Sequence, residues 1–513
     1  MSRQAPTPGR LPGAGRSGGD YATILSGVSQ NVIGIVVAAI AMLIVQILMT
    51  RTLGPVGFGV VTVLTQAAWV ASFGTRAGMD MAILRDVAVE AGVGGWDRMR
   101  RPAARAAGIA ALVSAGVGAV VVAAGDTVLG AFSISPATYP WALPAAALGL
   151  PFLALTNVWL AATRGLKIMR YTLYVFWAGQ NIMWIVLTVV LWQISTTATA
   201  SILAYSLSWV WAAVAAAFVW RKQSRHWGAA PADAGSLPKL FKYAGPRAPA
   251  ALFAQLLFWT DLFVVTRYVS DSEVGVYSVA LRAGQVIIVF LASVNLMFGP
   301  YVADLHNRGH RARLDDLYKT LTRWIVAATL PVFMLMAIAP DAVLNIFGPD
   351  FSGGRVALLI LMGGQFTNMV TGSAGFILVM VGRTGWDLAV YAASLALVLG
   401  LAFLLSPRYG IEGAATASAL TFACSNGARL FLVRRFVGIQ PYDSRYGRLV
   451  LPTLAGTAVM WLVHALTAGG DVVDLVATGV GGGLAYALVY GAVGLTPAER
   501  KGAAGLVARL RSS

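Results

Sequence analysis

The sequence predicts an all-α polytopic membrane protein of about 14 transmembrane helices, laid out as two six-helix bundles followed by two further helices. Three observations lead there. Of 513 residues, 58% are hydrophobic and only 12% charged, with a mean hydropathy of +0.72. Apolar windows of roughly 20 residues, each long enough to cross ~30 Å of hydrocarbon, recur from end to end. The basic residues collect in alternate loops, as membrane insertion requires.

The chain opens on "MSRQAPTPGRLPGAGRSGGD", rich in Pro, Gly and Arg, and residues 1–25 read as a disordered basic arm. The apolar run behind it is longer than a signal-peptide core, so no cleavable leader is expected. Spans follow near residues 26–50, 57–82, 104–124, 140–163, 171–193, 198–220, 248–269, 274–302, 323–346, 354–381, 386–406, 411–433, 449–468 and 473–494. With an inside start, the arm, the loops after even-numbered spans and the tail hold about 31 of the 38 Lys and Arg. Outer loops hold Arg51, Arg267, Arg355 and Arg408, while Arg76, Arg282 and Arg429 fall within spans. A missed span would invert everything after it, so both termini are expected on the cytoplasmic side. Trp141, Trp192, Trp220 and Trp386 fall near span ends, where an aromatic belt belongs.

A net charge of +17 could suggest nucleic acid, but the basic residues sit in short inter-span loops and form no single water-facing patch, which excludes that partner. The one cysteine, Cys424, lies in an apolar run, so no intrachain disulfide can form.

"LMTRTLGPVGFGVVTV", Leu48 to Val63, sets an arginine and turn chemistry between two apolar runs. A phosphate loop would need Gly-Lys-Ser/Thr, which occurs nowhere in the chain. The stretch is therefore the outer end of span 1, a turn and the start of span 2. It has an echo 216 residues further on, "VVTRYVSDSEVGVYSV", which matches Thr50 with Thr266, Arg51 with Arg267, Gly59 with Gly275, Val60 with Val276 and Val63 with Val279. A fainter copy is "YGIEGAATAS", in which Gly413 and Thr416 repeat the spacing of Gly59 and Thr62. The turns "AATRGLKIMRY" and "VMVGRTGWDLAVY" echo each other as well. These repeats predict two like-oriented halves, residues 26–221 and 248–435, related by an axis along the membrane normal. The basic segment 222–247 links them, and residues 436–513 add spans 13 and 14 and a basic cytoplasmic tail.

The motifs "TRTLGPVGFG", "DLFVVTRYVSDSEVGVYSVALR" and "GIEGAATA", in a two-times-six arrangement with two trailing helices, resemble the polysaccharide branch of the multidrug/oligosaccharidyl-lipid/polysaccharide exporter superfamily, which includes the Wzx-type flippases. The resemblance covers roughly residues 26–435. It implies translocation of an undecaprenyl-pyrophosphate-linked oligosaccharide across the bacterial cytoplasmic membrane, for surface polysaccharide synthesis, by alternating access around a cationic cavity. It also admits coupling to H+ or Na+ and a polysaccharide polymerase as partner. Span 1 carries Asn31 and Gln46 and no charged residue before Arg51, unlike the drug-exporter and lipid II flippase branches. An ion-coupled exporter of small amphiphiles and a lipid II flippase remain the alternatives. A membrane glycosyltransferase or polymerase is the reading from another class, although the outer loops are too short for its catalytic site.

Moving a pyrophosphate and several sugars through an apolar barrier requires cations for phosphate and amides for hydroxyls. The cationic-lumen candidates are Arg51, Arg76, Arg247, Arg267 and Arg282, and the polar-lumen candidates are Gln66, Asn157, Gln180, Asn181, Gln255, Asn295, Gln365 and Asn368. The structural alternative for each amide is an interhelical hydrogen bond. Arg76 and Asp80 share a helix face and can neutralise each other, and Arg429 is expected to snorkel toward the cytoplasmic surface. Asp261 and Arg282 fall at about the same depth on adjacent spans, ~15 Å below their turn. They are expected to form an ion pair or a coupling switch. "HNRGH" spaces His306 and His310 like metal ligands but lacks the glutamate of a zinc helix, so neither a metal nor any other cofactor is expected, and no catalytic residue is assigned.

Overall fold

The computed structural model describes residues 17–92, 94–166, 168–228, 237–288, 290–291, 294, 298, 301–302, 305–306, 308–467, 472–496 and 499–500, and among them no strand occurs. The helices are α1 (Ser17–Thr75), α2 (Met79–Gly92), α3 (Arg100–Ala123), α4 (Gly125–Ala131), α5 (Ala142–Gly165), α6 (Thr172–Trp192, opening on a π-type stretch), α7 (Ala198–Ser224) and α8 (Leu237–Val265). They continue with α9 (Asp271–Gln285), α10 (Arg311–Ile338), α11 (Pro340–Asn345), α12 (Arg355–Thr371), α13 (Ala374–Met380), α14 (Thr384–Phe436), α15 (Val450–Thr467) and α16 (Val472–Val489). Among the described residues 9 helices are long and apolar enough to cross a membrane, or up to 10 if a bent pair counts as one span.

Two of these helices each cover two expected spans. α1 breaks at Gly54 (φ 65°, ψ −176°) just before Pro55, and α14 breaks at Gly410 (φ 53°, ψ −131°) just after Pro407. Proline removes a ladder donor, and glycine accepts the left-handed backbone that the reversal needs. At Gly410 the chain folds back so sharply that a Cβ on Gly413 would strike the Leu405 carbonyl. A straight helix would hold those residues ~12 Å apart.

Other differences from expectation have local causes. The span expected over 57–82 stops at Thr75, because Ala77 (φ 49°) and Gly78 (φ 70°) both turn left-handed before Met79 resumes the helix. The span expected over 354–381 breaks at Gly372 (φ 59°) into α12 and α13, bent by 46°. α1 is helical from Ser17, inside the arm expected to be disordered, and residues 1–16 lie outside the described residues. Most of 286–302, the latter part of the expected eighth span, also lies outside them.

Small residues set the packing, since lipid supplies no hydrophobic drive between helices and close van der Waals approach must do the work. In the first half, Gly149 of α5 sits where a Cβ would be 2.8 Å from the Ser206 hydroxyl of α7, which donates to the Ala145 carbonyl at 2.6 Å. In the trailing pair, a Cβ on Gly482 of α16 would lie 3.0 Å from the Gly456 carbonyl of α15. The Tyr486 hydroxyl ties that pair to α10 by donating to the Ala327 carbonyl at 2.8 Å. Leu112, Val120, Leu466, Val473 and Leu488 remain exposed, as lipid-facing side chains should.

Candidate functional site

The two halves meet along a seam made by the second part of α1, α8 and α9. At the predicted outer end the repeat-related glycines touch. A Cβ on Gly59 would lie 3.0 Å from the Gly275 nitrogen and 3.2 Å from the Asp271 carbonyl oxygen, and a Cβ on Gly275 would overlap the Pro55 carbonyl. Phe58 packs edge-on to Phe351 with centroids 6.3 Å apart. α9 begins here with a capping box, in which the Ser270 hydroxyl accepts from Glu273 N and the Glu273 carboxylate accepts from Ser270 N, so the second half starts its helix with side chains where the first uses Gly-Pro.

Seven residues further, two turns along the same helix face, the repeat places Gln66 on α1 and Arg282 on α9. Both are buried, at 8% and 6% exposure. Arg282 lies over the Trp259 ring at 5.7 Å, and its Nε and Nη1 are buried without a hydrogen-bond partner among the described residues. The aromatic group Trp69, Phe176, Tyr205 and Trp209 packs in the first half at this level. Trp69 crosses the seam by donating its Nε1 hydrogen to Gln255 Oε1 at 3.1 Å. At the opposite end the halves approach again, where a Cβ on Gly78 would lie 2.5 Å from the Ala244 carbonyl. The seam is thus closed by backbone at both ends around a buried cation with free donors.

The expected Asp261–Arg282 ion pair does not form. Asp261 is fully buried and accepts from the Tyr277 hydroxyl at 2.6 Å and from Leu262 N at 2.9 Å. Equal depth permits contact but does not set direction: Arg282 shares the Gly275 face toward α1, whereas Tyr277, two residues after Gly275, turns another face of α9 to Asp261.

The other candidates divide. Arg51 is exposed and donates from Nε to the Ile346 carbonyl (3.0 Å) and from Nη2 to the Asn345 carbonyl (3.3 Å), so it caps the end of α11 and lines no lumen. Arg267 is exposed beside the outer turn. Arg76 is buried and carries a counter-charge: Nη1 pairs with Asp80 at 3.1 Å, Nε donates to the Ser72 carbonyl at 2.9 Å, and the guanidinium lies over Phe73 at 4.0 Å, with Nη2 alone lacking a partner among the described residues. Asn295 and the side chain of Arg247 lie outside the described residues. Asn157 and Asn181 donate to carbonyls of their own helices, Leu153 at 2.9 Å and Trp177 at 2.7 Å, and Gln180 donates to Ser208 Oγ at 2.9 Å inside the first half. Gln365, Asn368 and Asn426 form an amide chain with Asn368 in the middle: Asn426 donates to Asn368 at 2.5 Å and Asn368 donates to Gln365 at 2.7 Å.

Arg429 does not snorkel as expected. It is buried, donates from Nε to Asp387 at 3.2 Å and from Nη1 to Ser425 at 2.7 Å, and covers Tyr391 at 4.4 Å. Sequence reading overlooked Trp69, Trp259, Tyr277, Asn426 and Asp387. Carrying the 216-residue repeat one heptad beyond Gly59 and Gly275 would have singled out Gln66 with Arg282.

Solved structures share this all-helical architecture of apolar spans. The chain is similar to the lipid II flippase MurJ in its inward closed conformation (TM-score 0.68, 13% identity, 89% of this chain and 97% of that one). It is also similar to an inward-facing multidrug resistance MATE family transporter of the MOP superfamily (TM-score 0.63, 13% identity, 78% and 98%). The chain belongs to the family described as polysaccharide biosynthesis protein, whose profile matches residues 24–306. Two relatives come from Haloferax volcanii: the probable low-salt glycan biosynthesis flippase Agl15, 23% identical over 237 residues (46% of this chain, 50% of the relative), and the probable flippase AglR, 22% identical over 241 residues (45% and 49%). The chain thus spans about half the length of the curated relatives it matches.

Proposed function

We propose that this protein is a flippase that moves a lipid-pyrophosphate-linked oligosaccharide across the cytoplasmic membrane by alternating closure of the two ends of the seam. The observation that carries the reading is the guanidinium of Arg282, buried between the halves with two donor nitrogens unmet. An unpaired cation at that depth costs at least ~2.5 kcal/mol on insertion scales, and a pyrophosphate passing through the seam would offset that cost. Gln66, the repeat counterpart of Arg282 on α1, and Gln255, bonded across the seam by Trp69, supply donors and acceptors of the kind that sugar hydroxyls use. The relatives named for glycan flipping and the family's link to polysaccharide synthesis support the same substrate class.

Within this reading residues 26–221 and 248–435 are the moving bundles, both termini face the cytoplasm, Asp261 is the candidate for H+ or Na+ coupling, and a polysaccharide polymerase consumes the product. The protein does no bond-making chemistry of its own. The test is a strain deleted for this protein and scored for surface glycan. The wild-type chain should restore it and Arg282→Ala should leave it at background with normal membrane insertion; full restoration by Arg282→Ala would remove the proposal. Reporter fusions after Ser236 and Ser513 should read cytoplasmic and one after Ala137 external.

A further inference from the structure

Away from the seam, a cavity of about 590 Å³ opens where α10 begins and α14 ends, lined by Arg311, Asp315, Lys319, Arg434, Gly438 and Gln440 among others. We propose that it binds the phosphodiester headgroup of an anionic phospholipid of the cytoplasmic leaflet.

The charges do not cancel. Asp315 is the carboxylate of the lining, and it is engaged by Lys319 Nζ at 2.5 Å and by Gln440 N at 3.2 Å. Arg311 donates from Nη2 to the Gly438 carbonyl at 2.7 Å, a bond that fixes its guanidinium without neutralising it. Gly438 (φ 71°) turns the chain after α14 so that its carbonyl is available there. Arg434 is exposed and makes no hydrogen bond or ion pair among the described residues. Two guanidiniums therefore remain uncompensated at the rim of a cavity large enough for a phosphate group, and a guanidinium's planar fork matches phosphate oxygens.

The position favours a lipid over a soluble phosphate. Arg311 is the first residue of one candidate span and Arg434 lies in the last turn of another, so both stand in the interfacial plane. Aromatic side chains mark the same level: Trp386 and Phe436 pack with centroids 5.6 Å apart, and the Arg383 guanidinium lies over Phe436 at 4.7 Å. The loop-charge bias puts this end on the cytoplasmic side, where anionic lipids concentrate.

The test uses the purified full-length protein titrated with phosphatidylglycerol, phosphatidylcholine or inorganic phosphate and read by native mass spectrometry. Phosphatidylglycerol should bind more tightly than phosphatidylcholine, and Arg434→Gln should weaken it by about five-fold, the size of one basic residue's attraction to an anionic surface. Arg311→Gln with Arg434→Gln should weaken it further, while Arg435→Gln, an exposed neighbour outside the cavity lining, should leave it unchanged. Three outcomes would overturn the proposal: no preference for phosphatidylglycerol, an equal loss with Arg435→Gln, or inorganic phosphate binding as tightly and with the same dependence on Arg434. If the Arg311 variant fails to fold, Arg434→Gln alone decides.

Discussion

Gly59 and Gly275, equivalent residues of the two halves, lie backbone against backbone, and neither position has room for a side chain. The contact joins the first half to the second at the predicted outer end, while Gly78 and Ala244 join them at the other. Contacts of this kind need no side chain to rearrange, so they can part and re-form as bodies rock about a fixed site.

Gly275→Ala should therefore hold the outer end open. The added methyl meets the Pro55 carbonyl, and overpacking of that sort costs ~1–3 kcal/mol, a shift of roughly 5- to 150-fold away from the closed seam. In a Cys424→Ala background, a cysteine at the buried Ser278 should label slowly with a membrane-impermeant thiol reagent, and adding Gly275→Ala should speed it. Unchanged labelling would mean that this contact does not gate the seam.

Gln66 and Arg282 stand at equivalent repeat positions, so a translocation path that needs one cation at that level should tolerate an exchange of sides. Arg282→Gln should abolish glycan export, and Gln66→Arg added to it should recover part of it. An exchange as inactive as the single variant would show that the cation must stand on its Trp259 platform.

Glu499 clasps the chain beyond α16 to α10. Its carboxylate pairs with the buried Arg323, accepts from Trp324 Nε1 at 2.5 Å, and accepts from Thr496 N at 2.7 Å. Burial alone would raise its pKa, but the Thr496 backbone and hydroxyl, Trp324 and Arg323 outweigh it and hold the carboxyl below the ordinary glutamate range. A depressed folded-state pKa gives stability that is present above the unfolded value of about 4.3 and is lost as pH falls through the lower folded one. Thermal unfolding should show that extra loss in the wild type and not in Glu499→Gln. At neutral pH the substitution should destabilise by up to ~3–5 kcal/mol, because the buried Arg323 keeps an acceptor in the amide oxygen but loses its counter-charge.

The all-helical fold with its apolar spans was legible in the sequence because hydropathy is a periodic signal. The breaks at Gly54 and Gly410 announce themselves through neighbouring Pro55 and Pro407. The break at Ala77 does not, since a left-handed alanine depends on tertiary packing that no local signal records. For Asp261 and Arg282 residue counting offers a common level, but it carries no information on facing. Two helical residues at one level can point anywhere around their axes, and only the Gly275 contact fixes the rotation of α9. Arg429 illustrates the same limit: its nearness to the cytoplasmic end suggested snorkelling, and its partner Asp387 lies 42 residues away in sequence.

The last prediction turns on Asp261 and Tyr277. Among the described residues the fully buried Asp261 carboxylate is held by the Tyr277 hydroxyl, the Leu262 amide and the Ser418 side chain and pairs with no cation, so its charge is either solvated during the cycle or taken up by an ion. Because Arg282 is not its partner, exchanging the two, Asp261→Arg with Arg282→Asp, should restore neither folded protein nor export. Tyr277→Phe removes the hydroxyl donor and should cost ~1–3 kcal/mol of stability, visible as a lower melting temperature in detergent. Asp261→Asn keeps an acceptor for the Tyr277 hydroxyl and should fold normally. If Asp261 couples export to H+ or Na+, that variant should be inserted and thermally stable yet inactive in the glycan assay. A folded and fully active Asp261→Asn would remove the coupling role, and recovery of export by the exchange would mean that the two residues meet in another conformation of the cycle.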